Sequence, residues 1–167
     1  MIGMESDAYW LIDRTGMELA FGGLNAVLRD YARLGQLYLN EGRWAGEQVV
    51  PRAWVLASVM PDAPHLQPGN PNSSWVLGYG YQWWIPQQPD GDYLAIGIYN
   101  QFIYVDPKRK IVIAKSSAYP GYNMDGPDKE LETIAVFRTI AGHLATPAHH
   151  TDQSISGRLT AHTRETQ

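Results

Sequence analysis

Ala95-Ile96-Gly97-Ile98-Tyr99-Asn100 is the stretch of this 167-residue chain whose residue types and spacing can do chemistry. A glycine inside an otherwise bulky strand marks either a packing contact or a place where something approaches the backbone closely. In the second case a ligand laid along the strand accepts hydrogen bonds from main-chain N–H groups, which is the physics of an oxyanion hole. The other candidates carry less. None of the serines (Ser6, Ser58, Ser73, Ser74, Ser116, Ser117, Ser154, Ser156) has a lysine three residues on or lies in Gly-x-Ser-x-Gly, so they read as caps, turns and surface positions. His143, His149, His150 and His162 lie at or beyond the last expected helix, and His65 lies in a proline-rich loop. No metal site and no cofactor are therefore expected, because ligands need packed elements and supporting hydrogen bonds. Tyr79, Tyr81, Trp83, Trp84, Tyr93 and Tyr99 could form a stacking platform, but large aromatics also fill sheet cores, and core is the expectation. Lys108, Arg109 and Lys110 read as a solvated turn.

Composition bounds the rest. The length suits one domain with a core of its own, and 44% hydrophobic with 18% charged residues is globular. The net charge of -4 gives no basic field, so no nucleic-acid partner is expected. With no cysteine, disulfides, thiol catalysis and Cys-ligated zinc are excluded. No run approaches the ~18 apolar residues of a membrane span, so no membrane partner is expected. The opening MIGMESDAYW has no basic-then-apolar leader, which makes the expectation a cytoplasmic protein. A start that falls almost directly on a strand-like run is what a truncated gene would produce.

The elements that must position Gly97 follow from periodicity. Ala8–Asp13 reads as a short strand closed by Asp13-Arg14-Thr15-Gly16, with Met17–Phe21 pairing back. Leu28, Tyr31, Leu34, Gly35 and Tyr38 recur at helical spacing, predicting a helix over Asn25–Glu41. Asn25 or Asp30 is its expected cap, and Gly42 its stop. Gly35 on the apolar face implies close packing. A second helix is expected over Pro51–Met60, then a long loop from Pro61 to Ser74. Gly78–Ser117 reads as three strands joined by tight turns, one of them Asp106-Pro107-Lys108-Arg109. Asp128–Leu144 is a helix, so one domain is expected over 1–144 and a disordered tail over 145–167.

Taken together, Gly3-Met4-Glu5, Asp7-Ala8-Tyr9-Trp10-Leu11, Arg29-Asp30-Tyr31-Ala32-Arg33-Leu34-Gly35-Gln36-Leu37, Gly78-Tyr79-Gly80-Tyr81-Gln82-Trp83-Trp84 and Val105-Asp106-Pro107 resemble the C-terminal half of the β-lactamase-related, penicillin-recognising serine hydrolases. The likeness is strongest to 6-aminohexanoate-dimer hydrolases and class C-like esterases. It implies an α/β (α+β) fold, an antiparallel sheet with flanking helices, as in the C-terminal part of a β-lactamase/transpeptidase-like fold. It also implies acyl transfer on a small-molecule amide or ester by a serine in Ser-x-x-Lys, helped by the tyrosine of Tyr-x-Asn. Both motifs belong upstream of the region matched here. Tyr38-Leu39-Asn40 fits Tyr-x-Asn only formally, since a helix stripe already accounts for Tyr38.

The family's Lys-Thr-Gly or His-x-Gly element maps to Ala95-Ile96-Gly97, which keeps the glycine and replaces the cation with Ala95. That argues against β-lactam substrates more than against amides or esters. By the resemblance the Ile98 N–H is an oxyanion-hole donor, and Gly97, Tyr99 and Asn100 border the substrate. The chain is thus expected to be a hydrolase fragment, inactive alone, or alternatively a non-catalytic ligand-binding or interaction module. An exposed sheet edge is expected to drive self-association.

Overall fold

The computed structural model of the chain describes residues 2–87, 90–124 and 126–145. Asp13 reverses the first segment: its Oδ1 accepts from the Thr15 N–H and hydroxyl (both 2.7 Å) and from the Met17 N–H at 3.0 Å. The reversal carries β1 (Tyr9–Trp10) back beside β2 (Leu24–Asn25), with an isolated bridge between Ile12 and Glu18. The return strand expected at Met17–Phe21 therefore contributes only that bridge. The ladder forms beyond Gly22-Gly23, where φ of +84° at Gly23 turns the chain.

Helix α1 (Leu28–Leu39) begins at Val27 with no side-chain cap, so neither Asn25 nor Asp30 caps it. Asp30 lies inside the first turn, where its charge complements the helix dipole. The helix ends in a Schellman arrangement: Gly42 N–H donates to Leu37 O at 2.8 Å and Glu41 N–H to Tyr38 O at 3.0 Å. Gly42 stops the helix as expected, although Glu41, at φ +52°, takes the first left-handed position. A two-residue hairpin, β3 (Arg43–Trp44) with β4 (Glu47–Gln48), leads to α2 (Arg52–Ser58). The loop from Pro61 holds one 3₁₀ turn at Pro64–Leu66.

The core sheet has five strands, not three. In order they are β5 (Gly78–Tyr79), β6 (Trp84–Ile85), β7 (Tyr93–Gly97), β8 (Gln101–Asp106) and β9 (Ile111–Lys115), antiparallel throughout. The run Tyr79–Ile85, whose large side chains alternate along the chain as they would in one strand, breaks because Gln82 adopts φ +65° and Gly80 N–H closes on Trp83 O at 2.8 Å. The result is a tight hairpin of two-residue strands. Sequence alternation cannot distinguish it from a continuous strand, since both present side chains at period two.

Period two also sorts the core. Phe102 and Tyr104 of β8 pack with Leu94 against Ile134, Phe137 and Ala141 of α3 (Asp128–Ala145). Ile103 and Val105 pack with Trp83 and Tyr93 against Tyr31, Leu34 and Tyr38 of α1. The sheet thus lies between α1 and α3, an antiparallel sheet with flanking helices. Close packing at Gly35 holds: a Cβ there would lie 2.6 Å from Val112 Cγ1 and 2.8 Å from Ile103 Cγ2. In the turn, Lys108 and Lys110 are exposed as expected, while Arg109 is half-buried among ion pairs. Arg109 donates to the buried Asp106 carboxylate at 2.7 Å, and Lys108 pairs with Asp90 at 3.1 Å. No helix among the described residues is long and apolar enough to cross a membrane. The tail from Thr146 onward lies outside the described residues.

Candidate active-site edge

Strand β7 is paired along its whole length on one side, from Tyr93 opposite Val105 to Gly97 opposite Gln101. On its other side β6 supplies a single register pair, Trp84 opposite Leu94. The chain folds away at Gln82–Trp83, whose Gln82 Nε2 instead donates to Ala20 O at 2.8 Å. Among the described residues Ala95, Ile96 and Gly97 therefore face an edge with no ladder partner. A strand edge with free N–H and C=O groups is a template for an extended ligand.

Gly97 is exposed, and a Cβ built on it would meet nothing nearer than Gln101 Cβ at 3.5 Å. The packing contact that its sequence position allows is not formed. Ile98 lies one residue beyond β7, in the hairpin turn rather than within the strand, and is 59% exposed. No described group accepts a hydrogen bond from its N–H. Tyr99 and Asn100 complete the turn in left-handed conformations, φ +61° and +65°. Tyr99 is half-exposed, its ring edge-on to Tyr122 at 5.0 Å, and its carbonyl accepts from Tyr119 N–H at 3.1 Å. Asn100 points inward and is buried. The four residues singled out from the sequence thus share one hairpin tip, but Asn100 faces the interior behind it instead of the open edge.

Several residues that sequence reasoning passed over hold that tip. Lys115 Nζ donates to the Asn100 main-chain O at 2.7 Å and also to its side-chain Oδ1. Thr133 Oγ1 lies 3.3 Å from the same Oδ1. Burial pushes the Lys115 ammonium below its ordinary pKa, and nearby Glu130 opposes the shift. Both Lys115 and Glu130 carried a readable signal. Lys115 is in phase with Ile111 and Ile113, which pack on the α3-side core, and Glu130 is in phase with buried Ile134, Phe137 and Ala141. A charge on a buried stripe calls for a partner.

The remaining candidates resolve as structural. Tyr38 stacks at 4.5 Å on Trp83, and Trp83 meets Tyr93 edge-on at 5.1 Å, so these aromatics are core. Asn40 is the C-terminal cap of α1. Ser58, fully buried, donates to Trp54 O at 2.7 Å. His149, His150 and His162 fall outside the described residues.

The Beta-lactamase family model matches residues 3–136. The 6-aminohexanoate-dimer hydrolase of Paenarthrobacter ureafaciens is 32% identical over 118 residues, covering 70% of this chain and 30% of that protein. A Bacillus anthracis structure, provisionally named a 6-aminohexanoate-dimer hydrolase, superposes with a TM-score of 0.70 at 35% identity, covering 86% of this chain and 35% of its own. The chain spans about a third of the length of these relatives.

Proposed function

The chain belongs to the β-lactamase family, and from that premise we propose that it supplies the oxyanion side of an acyl-transfer site for amides or esters. In this reading the serine nucleophile lies on polypeptide outside these 167 residues, and the chain alone does not turn over. One observation carries it: the Ile98 N–H lies, without a partner among the described residues, at the exposed tip of a strand edge. A carbonyl laid against Ala95–Gly97 would develop its negative charge near that N–H as the serine attacks, and a preorganised donor there lowers the barrier. The missing side chain at Gly97 lets the substrate approach the backbone, and Tyr99, braced by Tyr122, flanks the acyl group. Ala95 offers no cation for a β-lactam carboxylate, which favours neutral amide and ester carbonyls. The dimer of 6-aminohexanoate, named for both relatives, is the first substrate to try. The same reading takes the setting to be cytoplasmic, which cell fractionation checks.

Purified chain is expected to leave p-nitrophenyl esters unhydrolysed and to take up no serine-directed fluorophosphonate. Stoichiometric labelling would overturn the inactive-alone reading. Joined to the amino-terminal two thirds of the Paenarthrobacter relative, the chain is expected to give a labelled, active hydrolase. Ile98→Pro, which deletes the donor, should then cost about 10²–10³ in kcat. Saturable ligand binding by that fusion without turnover would favour the binding-module alternative.

A further inference from the structure

The hairpin tip that carries the Ile98 N–H is conformationally costly. Tyr99 and Asn100 are consecutive non-glycine residues at φ +61° and +65°, a region L-residues enter singly and reluctantly. Asparagine tolerates it; a bulky tyrosine does so only where its surroundings over-determine it. The surroundings here are specific. Lys115 reaches from the last residue of β9 to grip both carbonyl oxygens of Asn100, main chain and side chain. Its ammonium also lies 5.3 Å from the centre of the Phe102 ring. Behind it, Glu130 in the first turn of α3 is buried, and Thr133 adds a contact to the Asn100 side chain. Asn100 Nδ2 and Glu130 Oε2 are buried without a hydrogen-bond partner among the described residues. A hydrogen-bonded edge strand does not need a lysine in phase with its half-buried isoleucines, and a half-buried cation still carries a desolvation cost.

We propose that Lys115 is a positioning residue: by holding Asn100 from inside, it keeps the Tyr99–Asn100 pair left-handed and so presents the Ile98 N–H at the open edge. Its functional meaning rests on the reading of Ile98 as the oxyanion donor, whereas the conformational assignment stands by itself. Glu130, buried nearby, adds its negative charge to the setting of the ammonium, and Thr133 adds a 3.3 Å contact to the Asn100 Oδ1.

The test is made on the full chain by NMR. In Lys115→Met the backbone shifts of Tyr99 and Asn100 should lose their left-handed signature. Amide exchange at Gly97 and Gln101, the pair that closes the β7–β8 ladder, should quicken about tenfold or more, the loss expected for a hydrogen bond to a charged group. Adding Asn100→Gly should restore both, because glycine takes positive φ without help; a lysine acting only as core filler would not be replaced by a glycine in a turn. Folding of the double variant where Lys115→Met alone fails to fold would support the assignment too. An unchanged turn in Lys115→Met would overturn it. So would a double variant that remains disordered at the tip or fails to fold. None of these readouts involves catalysis, so failure of the fused hydrolase to turn over leaves this result intact, and the reverse holds as well.

Discussion

At the residue scale the two informative glycines behave oppositely. Gly97 has room for a Cβ, which would make only an ordinary contact with Gln101 Cβ at 3.5 Å, so Gly97→Ala should change stability by no more than about 0.5 kcal/mol in urea titration. Gly35 lies under Val112 and Ile103 with no room for a methyl group. Overpacking there outweighs the better helix propensity of alanine, giving a net loss of about 1 kcal/mol or more for Gly35→Ala. A glycine that stability does not require, on an edge that none of the described residues covers, is the more persuasive ligand contact.

Asp30 provides a residue-scale test in pH. It is buried at the start of α1, where it accepts from the Glu5 N–H at 2.9 Å and from Arg33 at 2.7 Å. Burial works against its charge, but these donors and the Ser6 N–H outweigh it and hold the carboxyl below its ordinary 3.8. A depressed folded-state pKa contributes stability that is present above the unfolded value and is lost as pH falls through the folded one. Stability should therefore drop below pH ~4, and Asp30→Asn should flatten that acid limb while lowering stability at neutral pH, as thermal melts against pH would read.

At the scale of elements, the α1 face of the sheet is held by the Tyr38–Trp83–Tyr93 stack. Trp83 is buried, so Trp83→Ala should cost about 3–5 kcal/mol. Against a domain stability of about 5–15 kcal/mol that is a large share, and chemical denaturation should show it directly. The hairpin β5–β6 matters for a second reason: by turning back at Gln82–Trp83 it stops short of Ala95–Gly97. The open edge exists because that hairpin is short. The helices were legible to within a few residues at their ends, since a 3.6-residue apolar period has no competing explanation. The strand count was not, because a run at period two conceals a tight turn at Gln82 that only a φ of +65° betrays.

On the whole-molecule scale, Tyr9, Leu11, Ile12, Met17 and Phe21 leave an exposed apolar group at the β1–β2 end, with Phe21 82% exposed. Patches of this kind mark interaction surfaces or association liabilities. Sedimentation velocity is expected to show concentration-dependent association that Ile12→Lys with Phe21→Lys reduces. Association unaffected by those changes would move the contact to β9, whose only ladder partner among the described residues is β8.

Family membership, the antiparallel sheet with flanking helices and the identity of the candidate edge residues were set by local sequence, because motif order, period and turn chemistry are properties of neighbouring positions. What only the tertiary structure decided is which side of each residue meets solvent. It placed Ile98 in a turn instead of a strand, sent Asn100 inward, and brought Lys115, fifteen residues away, onto Asn100. Those contacts join β9, the β7–β8 turn and α3, and their register depends on strands closing against one another, which no window of sequence contains.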